Sequence, residues 1–373
     1  MFGFAAITSE GLADNKIENT SFLKLGSLSF GSVEAYIGIT RNVKPSFTPE
    51  SERDAEYLLA RVATMSCNYR DKGILLMNLE QGKSFAPFGS EFCAIVECVG
   101  SSVSEFSPGD RIMCDCAFPV PPAPGTSPGV PTNFVSQGWL RLHQAKVIRV
   151  PDSMSDEQAA SFSLGSQTAM ALIRRSGVLF SGGNVAVLSA RSTTSLFVIR
   201  LLIQHGFIPT CFTTSEWSRE EIENISPATV VRVTQENSLG DLFDSAFTHV
   251  IDPYCDMNIL KATQILKTDG TYVTCGFVNQ HPEMYTKMSA EKYGKEVLEA
   301  LQICIIKNLQ IIGNCLGDRD DLRRAVHLFE ATRVGPLIDE VYAYNDVVKY
   351  LNRSFFDSSR LGKCVVRMPE IGK

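Results

Sequence analysis

The chain has 373 residues, of which 44% are hydrophobic and 20% are charged, a composition typical of globular proteins with roughly two domains. Its formal net charge is −6 and it has no dense run of Lys and Arg, which argues against nucleic acids and anionic membranes as partners. No apolar stretch approaches the ~20 residues that span a bilayer, and the start lacks the basic residues of a signal peptide. We therefore expect a cytoplasmic protein.

Eleven cysteines are scattered along the chain, without the C-x2-C spacing of a structural zinc site. Cys93 and Cys98 alternate to opposite faces of a predicted strand, so we do not expect them to pair. Most cysteines are interpreted as small buried hydrophobic residues in a reducing compartment.

The first part of the chain, residues 1–150, is predicted to be rich in short strands separated by Gly and Pro turns. Strands or turn-and-strand segments are predicted at 35–39, 57–62, 89–100, 107–113, 133–143 and 145–150. A Pro-rich loop at 119–131 interrupts them. This pattern indicates a folded-over β domain.

The pattern changes at Pro151, after which helical and strand-like segments alternate. Helices are predicted at 156–160, 166–173, 237–244, 258–266 and 319–331, and strands at 229–233, 249–252, 271–277 and 308–313. The chain then ends on a strand at 362–367. We predict a doubly wound α/β domain over 151–316, and a β-rich domain formed by 1–150 together with 317–373.

One βαβ unit is the clearest element of this domain. Val185–Leu188 predicts a buried strand, and the apolar residues from Leu196 onward have helical spacing until Gly206. A second strand follows at Ile208–Thr213. Such units build parallel sheets that bind ligands at the carboxyl ends of their strands.

The turn inside this unit differs from a common dinucleotide-binding turn. That turn has the pattern G-x-G-x-x-G, because glycine lets the backbone approach the pyrophosphate, whereas Ser189, Ser192 and Ser195 occupy the three positions here. The helix start still offers N–H groups and a positive dipole end. Side chains that suit a phosphate surround it, namely Arg191, Ser192, Thr193 and Thr194. The alternative is that these hydroxyl residues only cap a structural helix.

The end of the second strand bears on the choice of nucleotide. An Asp or Glu there would bind the ribose 2′-hydroxyl of NAD, but the strand ends in hydroxyl residues. Ser215 and Arg219 could hold a 2′-phosphate, whereas Glu216 would oppose it if it pointed inward. We predict NADPH; the alternative is a solvated loop with a helix start at Ser218.

Six short motifs follow one another along the chain. They are Cys-Asn-Tyr-Arg-Asp (67–71), Gly-Ser-Glu-Phe with Val-x-x-Val-Gly (89–100), Phe-Ser-Pro-Gly-Asp-Arg (106–111), Leu-Gly-Ser-Gln-Thr-Ala (164–169), Asp-Gly-Thr-Tyr-Val-Thr-Cys-Gly (269–276) and Leu-Gly-Lys-Cys-Val-Val (361–366). Together they make the chain resemble the medium-chain dehydrogenase/reductase superfamily from about Tyr57 to Val366. The resemblance implies a GroES-like β-rich domain and a Rossmann domain, with substrate and cofactor expected in the cleft between them.

The resemblance also bears on metal binding. The superfamily's zinc-dependent members bind the catalytic metal with a Cys, the His of a Gly-His-Glu, and another Cys or His. The matching residues here are Cys67, Ser90 and Ser166, with Glu91 beside the second. Because zinc prefers nitrogen and sulfur ligands, this set implies no metal site and the zinc-free branch of quinone oxidoreductases and enoyl reductases. Cys67 is then interpreted as a buried thiol at a strand end.

That branch implies an NADPH-dependent reductase that delivers hydride to an activated C=C bond. The implied substrates are an enone, an enoyl thioester, a quinone, or a dehydroamino acid such as dehydroalanine in a modified peptide. The matching catalytic residues are Tyr69, as hydrogen-bond donor or general acid, and Ser90, as a hydrogen-bond partner of the substrate. The alternatives are a Tyr packed between domains and a merely polar wall of the site.

The resemblance assigns further residues to the cofactor: Thr168, Gly276, Phe277 and Lys363. It also implies a possible homodimer through the strands at 308–313 and 271–277. Two other functions stay open. One is a zinc-type alcohol dehydrogenase with atypical ligands, and the other is a non-catalytic dinucleotide- or partner-binding protein with this fold.

Overall fold

The computed structural model describes residues 2–14, 22–81, 85–234, 239–284 and 290–369. They divide into two compact units. Unit 1 comprises Met1–Leu164, Gln280–Met284 and Ile338–Lys373, and unit 2 comprises Gly165–Asn279 and Tyr285–Leu337. The boundaries predicted at 150 and 316 lie earlier in the chain than these divides. None of the helices in the described ranges combines the length and the apolarity needed to cross a bilayer.

The elements before Leu164 are mostly strands. The strands are β1 (Phe2–Thr8), β2 (Phe22–Phe30), β3 (Val33–Arg41), β4 (Tyr57–Ser66), β5 (Glu91–Val99), β6 (Arg111–Cys114), β7 (Trp139–His143) and β8 (Val147–Arg149). The helices are α1 (Ser9–Asp14), α2 (Tyr69–Glu80) and α3 (Asp156–Ala159), with 3-10 turns at Val135–Gln137 and Gln144–Lys146.

Helices and strands alternate in the rest of the chain. The helices are α4 (Ser163–Ser176), α5 (Val178–Ser181), α6 (Thr193–Gln204), α7 (Arg219–Glu223), α8 (Leu239–Phe243), α9 (Cys255–Ile265), α10 (Ala290–Lys307), α11 (Arg319–Thr332) and α12 (Val347–Phe355). The strands are β9 (Val185–Val187), β10 (Thr210–Thr213), β11 (Thr229–Arg232), β12 (Phe247–Asp252), β13 (Leu266–Thr274), β14 (Gln310–Gly313), β15 (Ile338–Tyr342) and β16 (Lys363–Arg367). Short 3-10 turns lie at Pro282–Met284 and Tyr344–Asp346.

The described part of unit 1 contains two sheets. One is an antiparallel sheet in the order β1-β3-β2. The other has the order β15-β16-β4-β5-β6-β8, with β7 also paired to β4. Strand β16 pairs with β4 through Val366 and Met65, so the end of the chain completes the first β-rich region, as predicted from the sequence.

The described strands of unit 2 form one parallel sheet in the order β11-β10-β9-β12-β13-β14. Its core contains buried residues of four neighbouring strands and their continuations, among them Leu188, Phe212, Val250 and Tyr272. This strand order reverses direction between β9 and β12, which is where doubly wound sheets bind ligands. The predicted doubly wound parallel sheet is confirmed.

The short segment Gln280–Met284 belongs to unit 1 although the chain on both sides of it belongs to unit 2. The Glu283 carboxylate accepts hydrogen bonds from Ser32 N at 2.6 Å and Ser32 Oγ at 2.8 Å. A Cβ on Gly31, whose φ is +64°, would collide with that carboxylate. The β2–β3 turn therefore favours glycine at this position because of its backbone conformation, and the flexible Glu283 side chain would have to shift to make room for a Cβ.

Candidate functional site

The start of α2 organises a buried polar network in unit 1. Asn68 immediately precedes the helix, and its N–H donates to Asp71 Oδ2 at 2.7 Å. The other Asp71 oxygen lies 3.2 Å from Arg70 Nη1. Burial raises the pKa of Asp71, and the neighbouring Arg70 guanidinium opposes that rise. These contacts fix Tyr69, the first residue of the helix, at a half-buried position.

A buried ion pair joins β16 to β5 beside this helix start. Lys363 Nζ lies 2.8 Å from Glu91 Oε2, and the two side chains are 2% and 0% exposed. The ammonium also donates to Asn68 Oδ1 at 2.8 Å, to Cys67 O at 3.0 Å and to Ser66 Oγ at 3.2 Å. Four acceptors therefore surround the three N–H donors of this ammonium. The described contacts of Lys363 thus lie within unit 1, and its contact with the cofactor stays a prediction.

Ser90 is also part of this network. Its hydroxyl donates to Asp71 Oδ2 at 2.8 Å and accepts from Asn68 Nδ2 at 3.3 Å, and the residue is fully buried. The hydroxyl hydrogen is therefore used inside the protein. These bonds support the start of α2, and the contact of Ser90 with a substrate stays a prediction.

The superfamily resemblance raises the question of whether these residues fit zinc. Burial raises the pKa of the Cys67 thiol well above its usual value. Glu91 is neutralised by Lys363 and also accepts from Leu164 N at 2.7 Å. In the described ranges, no group of three or more His, Cys, Asp and Glu side chains is arranged to hold a metal ion. The donor set at Cys67, Ser90 and Glu91 does not fit zinc.

The turn after β9 keeps its shape although it lacks glycine. Ser189 has a φ of +51°, the left-handed conformation that glycine adopts most easily. Ser192 caps α6 by accepting from Ser195 N at 3.3 Å, and the buried Ser195 hydroxyl donates to Leu188 O at 2.9 Å. Two of the three serines that stand in place of glycine thus form hydroxyl hydrogen bonds within the turn.

Arg191 makes the strongest contacts of this turn. Its two terminal nitrogens each lie 2.9 Å from a different Glu221 oxygen, and Nη2 also donates to Glu216 O at 2.6 Å. The guanidinium lies 5.1 Å from the centroid of the Trp217 ring. The sequence analysis did not identify Glu221, although Ser218 and Glu221 form a capping box that is visible as S-x-x-E. Arg191 therefore joins the turn to α7 and is already paired with a carboxylate.

The predicted 2′-phosphate ligands lie after β10. The Ser215 hydroxyl lies 3.3 Å from Thr213 Oγ1, which also accepts from Trp217 Nε1 at 3.2 Å. Arg219 is 94% exposed and pairs with Glu223 along α7. The structure thus brings Ser215 close to Thr213 and Trp217, whereas Arg219 faces solvent, and the predicted phosphate contacts of Ser215 and Arg219 stay predictions.

The remaining predicted cofactor residues lie in two places of unit 2. Thr168 is buried in α4, and Gly276 and Phe277 follow β13. The Gly276 carbonyl accepts from Cys255 N at 2.9 Å, and the Phe277 side chain is exposed. The segment after them is held by Asp256, whose carboxylate accepts from Val278 N and Asn279 N at 2.9 Å each.

The sequence analysis missed a buried carboxylate at the end of β12. Asp252 accepts from Tyr272 OH and from Asn258 Nδ2, each at 2.8 Å, and Asn258 Nδ2 also lies 3.2 Å from Ser189 Oγ. Burial raises the pKa of Asp252 to about 6. This series of hydrogen bonds links Tyr272, Asp252 and Asn258 to the turn after β9. A strand ending in Asp after an apolar run was the sequence feature that could have indicated it.

This shift predicts a pH-dependent contribution to stability. The pKa of Asp252 in the folded protein lies above its unfolded value of 3.8. The contribution of Asp252 to the free energy of unfolding is therefore complete below pH 3.8, and it is lost as the pH rises through about 6. A shift of roughly two units corresponds to about 3 kcal/mol. We expect the free energy of unfolding of Asp252→Asn, relative to the unsubstituted protein, to improve by up to that amount between about pH 4 and about pH 8 in urea titrations. An unchanged difference across that range would show that Asp252 stays ionised in the fold.

The carboxyl ends of the parallel strands fit a dinucleotide in sheet order and in donor chemistry. The 12-residue helix α6 begins at the turn, where its dipole favours an anion. Ser192, Thr193 and Thr194 are half-buried and bring hydroxyl groups to the same turn. These three residues would hold a pyrophosphate, and Arg191 would have to leave Glu221 before it could join them.

The comparisons with known proteins agree with this architecture. The alcohol dehydrogenase GroES-like domain family matches residues 54–137, within unit 1. The human synaptic vesicle membrane protein VAT-1 homolog-like is 24% identical over 328 residues, which cover 83% of this chain and 74% of that protein. A zinc-type alcohol dehydrogenase-like protein of Schizosaccharomyces pombe is 21% identical over 334 residues, covering 83% and 90% of the two chains.

A solved structure shows the same fold. The cobalt- and zinc-bound thermostable alcohol dehydrogenase of Pyrobaculum aerophilum aligns with a TM-score of 0.69 over 93% of this chain and 100% of its own, at 18% identity. The GroES-like match covers the β-rich unit, and the parallel sheet of the other unit has the Rossmann strand order. With these matches, the predicted GroES-like and Rossmann architecture is confirmed, and the matches support the predicted resemblance of the chain to the medium-chain dehydrogenase/reductase superfamily of oxidoreductases.

Proposed function

We propose that the chain is a zinc-independent, NADPH-dependent reductase that delivers hydride to an activated C=C bond. The substrate would be an enone, an enoyl thioester, a quinone, or a dehydroamino acid such as dehydroalanine in a modified peptide. The supporting observation is the Lys363–Glu91 ion pair, which neutralises the carboxylate next to the position of the superfamily's zinc-binding His. A reaction that needs no Lewis acid is compatible with that donor set.

The residues of the chain would divide the chemistry as follows. Bound NADPH would supply the hydride. Tyr69 would donate a hydrogen bond to the substrate carbonyl and provide the proton that completes the reduction. Asp71, with its contacts to Asn68 and Arg70, would hold the first turn of α2 and so orient Tyr69. Ser192, Thr193 and Thr194 would bind the pyrophosphate at the start of α6.

The preference for NADPH over NADH is supported by the end of β10. The residues that follow the strand carry hydroxyls, and the Glu216 side chain pairs with Arg232. A 2′-phosphate would be bound by Ser215 and by the Arg191 guanidinium after it exchanged Glu221 for the phosphate. The proposal therefore includes a competition between Glu221 and the nucleotide for Arg191.

A nucleotide titration tests this proposal directly. Trp217 lies beside Arg191, so its fluorescence should change when NADPH binds and change much less with NADH. We expect Glu221→Gln to tighten NADPH binding about tenfold, because a charged hydrogen-bonding competitor is removed. The exposed carboxylate Glu223 gives the matched control, and Glu223→Gln should leave the affinity unchanged. Failure of the unsubstituted protein to bind either nucleotide would contradict the reductase function.

One observation favours a second candidate. Because Arg191 is bound by both oxygens of Glu221, the turn can be regarded as closed by an internal carboxylate. A chain that stayed in this state would be a non-catalytic dinucleotide- or partner-binding protein with the fold of an oxidoreductase. Such a protein would show no NADPH oxidation with any of the four substrate classes, and Glu221→Gln would not alter nucleotide binding.

Unit 2 also supports a proposed homodimer. Strand β14 is the edge of the described sheet, and Ile311 on it is exposed. Helix α10 exposes Leu298, Leu301 and Ile305 at helical spacing, with Ile305 79% exposed. Apolar side chains clustered on one face are typical of an interface with another chain.

Light scattering tests this assembly. We expect the mass of a dimer for the unsubstituted protein and the mass of a monomer for Ile305→Glu, because a carboxylate would be buried at the interface. Phe180, an exposed apolar residue of α5, provides the control, and Phe180→Glu should stay dimeric. A monomeric unsubstituted protein would contradict the proposal.

The proposed compartment is the cytoplasm. All eleven cysteines are free thiols, as expected in a reducing environment. The supply of NADPH is compatible with the same location.

A further inference from the structure

Lys72 is a buried lysine whose ammonium has no anionic partner among the described residues. It lies on α2, one turn after Tyr69, and is 8% exposed. The other two buried lysines of the described ranges are paired, Lys363 with Glu91 and Lys146 with the Ser127 carbonyl at 2.9 Å. No hydrogen-bond acceptor or carboxylate of the described chain contacts Lys72, so the charge of this lysine is not balanced within the described part of unit 1.

Two aromatic rings surround this ammonium instead. Lys72 Nζ lies 4.3 Å from the centroid of the Phe356 ring and 5.8 Å from that of the Tyr69 ring. Aromatic faces attract a cation but accept no conventional hydrogen bond, so the three N–H donors still favour an anionic oxygen. Burial also lowers the pKa of Lys72, because water no longer solvates the charged form.

The ammonium lies near the surface of unit 1. The Phe356 ring belongs to a residue that is 40% exposed, and Tyr69 is half-buried. The next residue on the helix, Gly73, borders Gln280 and Met284, and a Cβ built on it would lie 3.4 Å from Gln280 Cβ. Lys72 therefore has partly exposed neighbours on unit 1, and a small anion would approach it past their side chains.

We propose that Lys72 binds the carboxylate of the substrate, and that the substrate is an unsaturated carbonyl compound that carries such a group. This inference rests on the proposed reductase function and names its substrate class. One ammonium with three donors suits a singly charged carboxylate, whereas a phosphate dianion is usually held by Arg or by several donors. Lys72 and Tyr69 lie one turn apart on α2, so one helix would bind the carboxylate and present the proton donor.

The first experiment measures binding and does not depend on catalysis. The full chain is prepared with 13C-dimethylated lysines, and the Lys72 resonance is assigned by its absence in Lys72→Arg. We expect this resonance to shift on addition of 2-butenoate but not of 2-butenamide, which has the same shape without the charge. Equal shifts with both compounds, or no shift with either, would overturn the carboxylate site.

The second experiment compares two substrates in the presence of NADPH. One is 4-oxo-2-pentenoate and the other is 3-penten-2-one, which has a methyl group in place of the carboxylate. We expect Lys72→Met to raise KM for 4-oxo-2-pentenoate by about 10- to 100-fold and to leave 3-penten-2-one unchanged, with Lys72→Arg recovering part of the loss. A loss shared equally by both substrates would assign Lys72 a structural role and overturn the proposal.

Two further outcomes separate this proposal from the reductase function. If the unsubstituted protein reduces neither compound, the reductase function fails for this substrate class, and the NMR titration alone decides whether Lys72 binds a carboxylate. Thermal unfolding provides the folding control. Because Lys72→Met removes an unpaired buried charge, its Tm should equal or exceed that of the unsubstituted protein. A clearly lower Tm would show that the lysine supports the fold and would overturn the proposal.

Discussion

Replacement of Lys363 by Met is expected to lower the free energy of unfolding by about 3–5 kcal/mol, because it leaves the Glu91 carboxylate buried without a cation. The lost ammonium also leaves the Cys67 carbonyl and Asn68 Oδ1 without their donor. Urea unfolding followed by circular dichroism measures this change, and the NADPH affinity of the folded fraction should stay the same. A tenfold or greater loss of affinity would instead assign Lys363 to the cofactor site, as the sequence predicts.

A double-mutant cycle distinguishes the ion pair from simple packing. Glu91→Gln in the Lys363→Met background removes the orphaned charge, so the double variant should be more stable than Lys363→Met alone. Lys349 provides a matched surface pair, with its ammonium 2.7 Å from Asp346 Oδ1 and its side chain exposed. Lys349→Met should change stability very little, because exposed ion pairs contribute little. Equal losses for the two lysine variants would contradict the importance of the buried pair.

Replacement of Tyr69 by Phe is expected to lower kcat about 100- to 10,000-fold, since a positioned general acid contributes rate factors of this order. The ring stays in place at the start of α2, and with it the contact to the Lys72 ammonium, so the fold should be preserved. The Kd for NADPH should not change, because the residues proposed to bind the nucleotide lie in unit 2. Steady-state kinetics with the best of the four substrate classes measures the loss.

Tyr344→Phe is the control for this experiment, because Tyr344 is an exposed tyrosine in a 3-10 turn far along the chain. It should retain full activity and an unchanged Tm. If Tyr69→Phe kept full activity while its pH profile was also unchanged, the proton would have to come from another group. Tyr69 would then be a packing residue of α2, which was the alternative interpretation of the motif.

The central βαβ unit could be predicted because its signals are local. The apolar run Val185–Leu188 and the spacing of Leu196, Ile199 and Leu202 lie within one stretch, and Gly206 ends it with a φ of +82°. The sheet order of unit 2 then follows from right-handed crossover connections. The serines of the turn could also be assigned, since they occupy positions that the pattern defines.

Helix α2 was missed for a physical reason. Asp71, Lys72 and Gly73 are buried on it together with several leucines, so polar and apolar residues do not separate into two faces. Its charged residues are balanced or framed by other parts of the chain, which periodicity cannot show. The helix start could only be recognised through its capping pair, Asn68 and Asp71.

Lys363 was assigned to the cofactor because of the motif around it, and its ion-pair partner in the fold is far away in sequence. Glu91 lies 272 residues before it, and the chain must fold before the two side chains meet. Arg191 is a similar case at shorter range, since Glu221 lies 30 residues after it. In both cases, the sequence reveals the charge but not the acceptor that binds it.

The placement of Gln280–Met284 has a consequence for recombination between related genes. Neither unit is encoded by one continuous segment, because unit 1 takes its residues from three separate stretches of the chain. An exchange of residues 165–337 between two relatives would also carry Glu283 into a protein whose β2–β3 turn has a different sequence. Such a chimera keeps this contact only if Gly31, Ser32 and Glu283 come from the same parent, although they lie at distant positions in the reading frame.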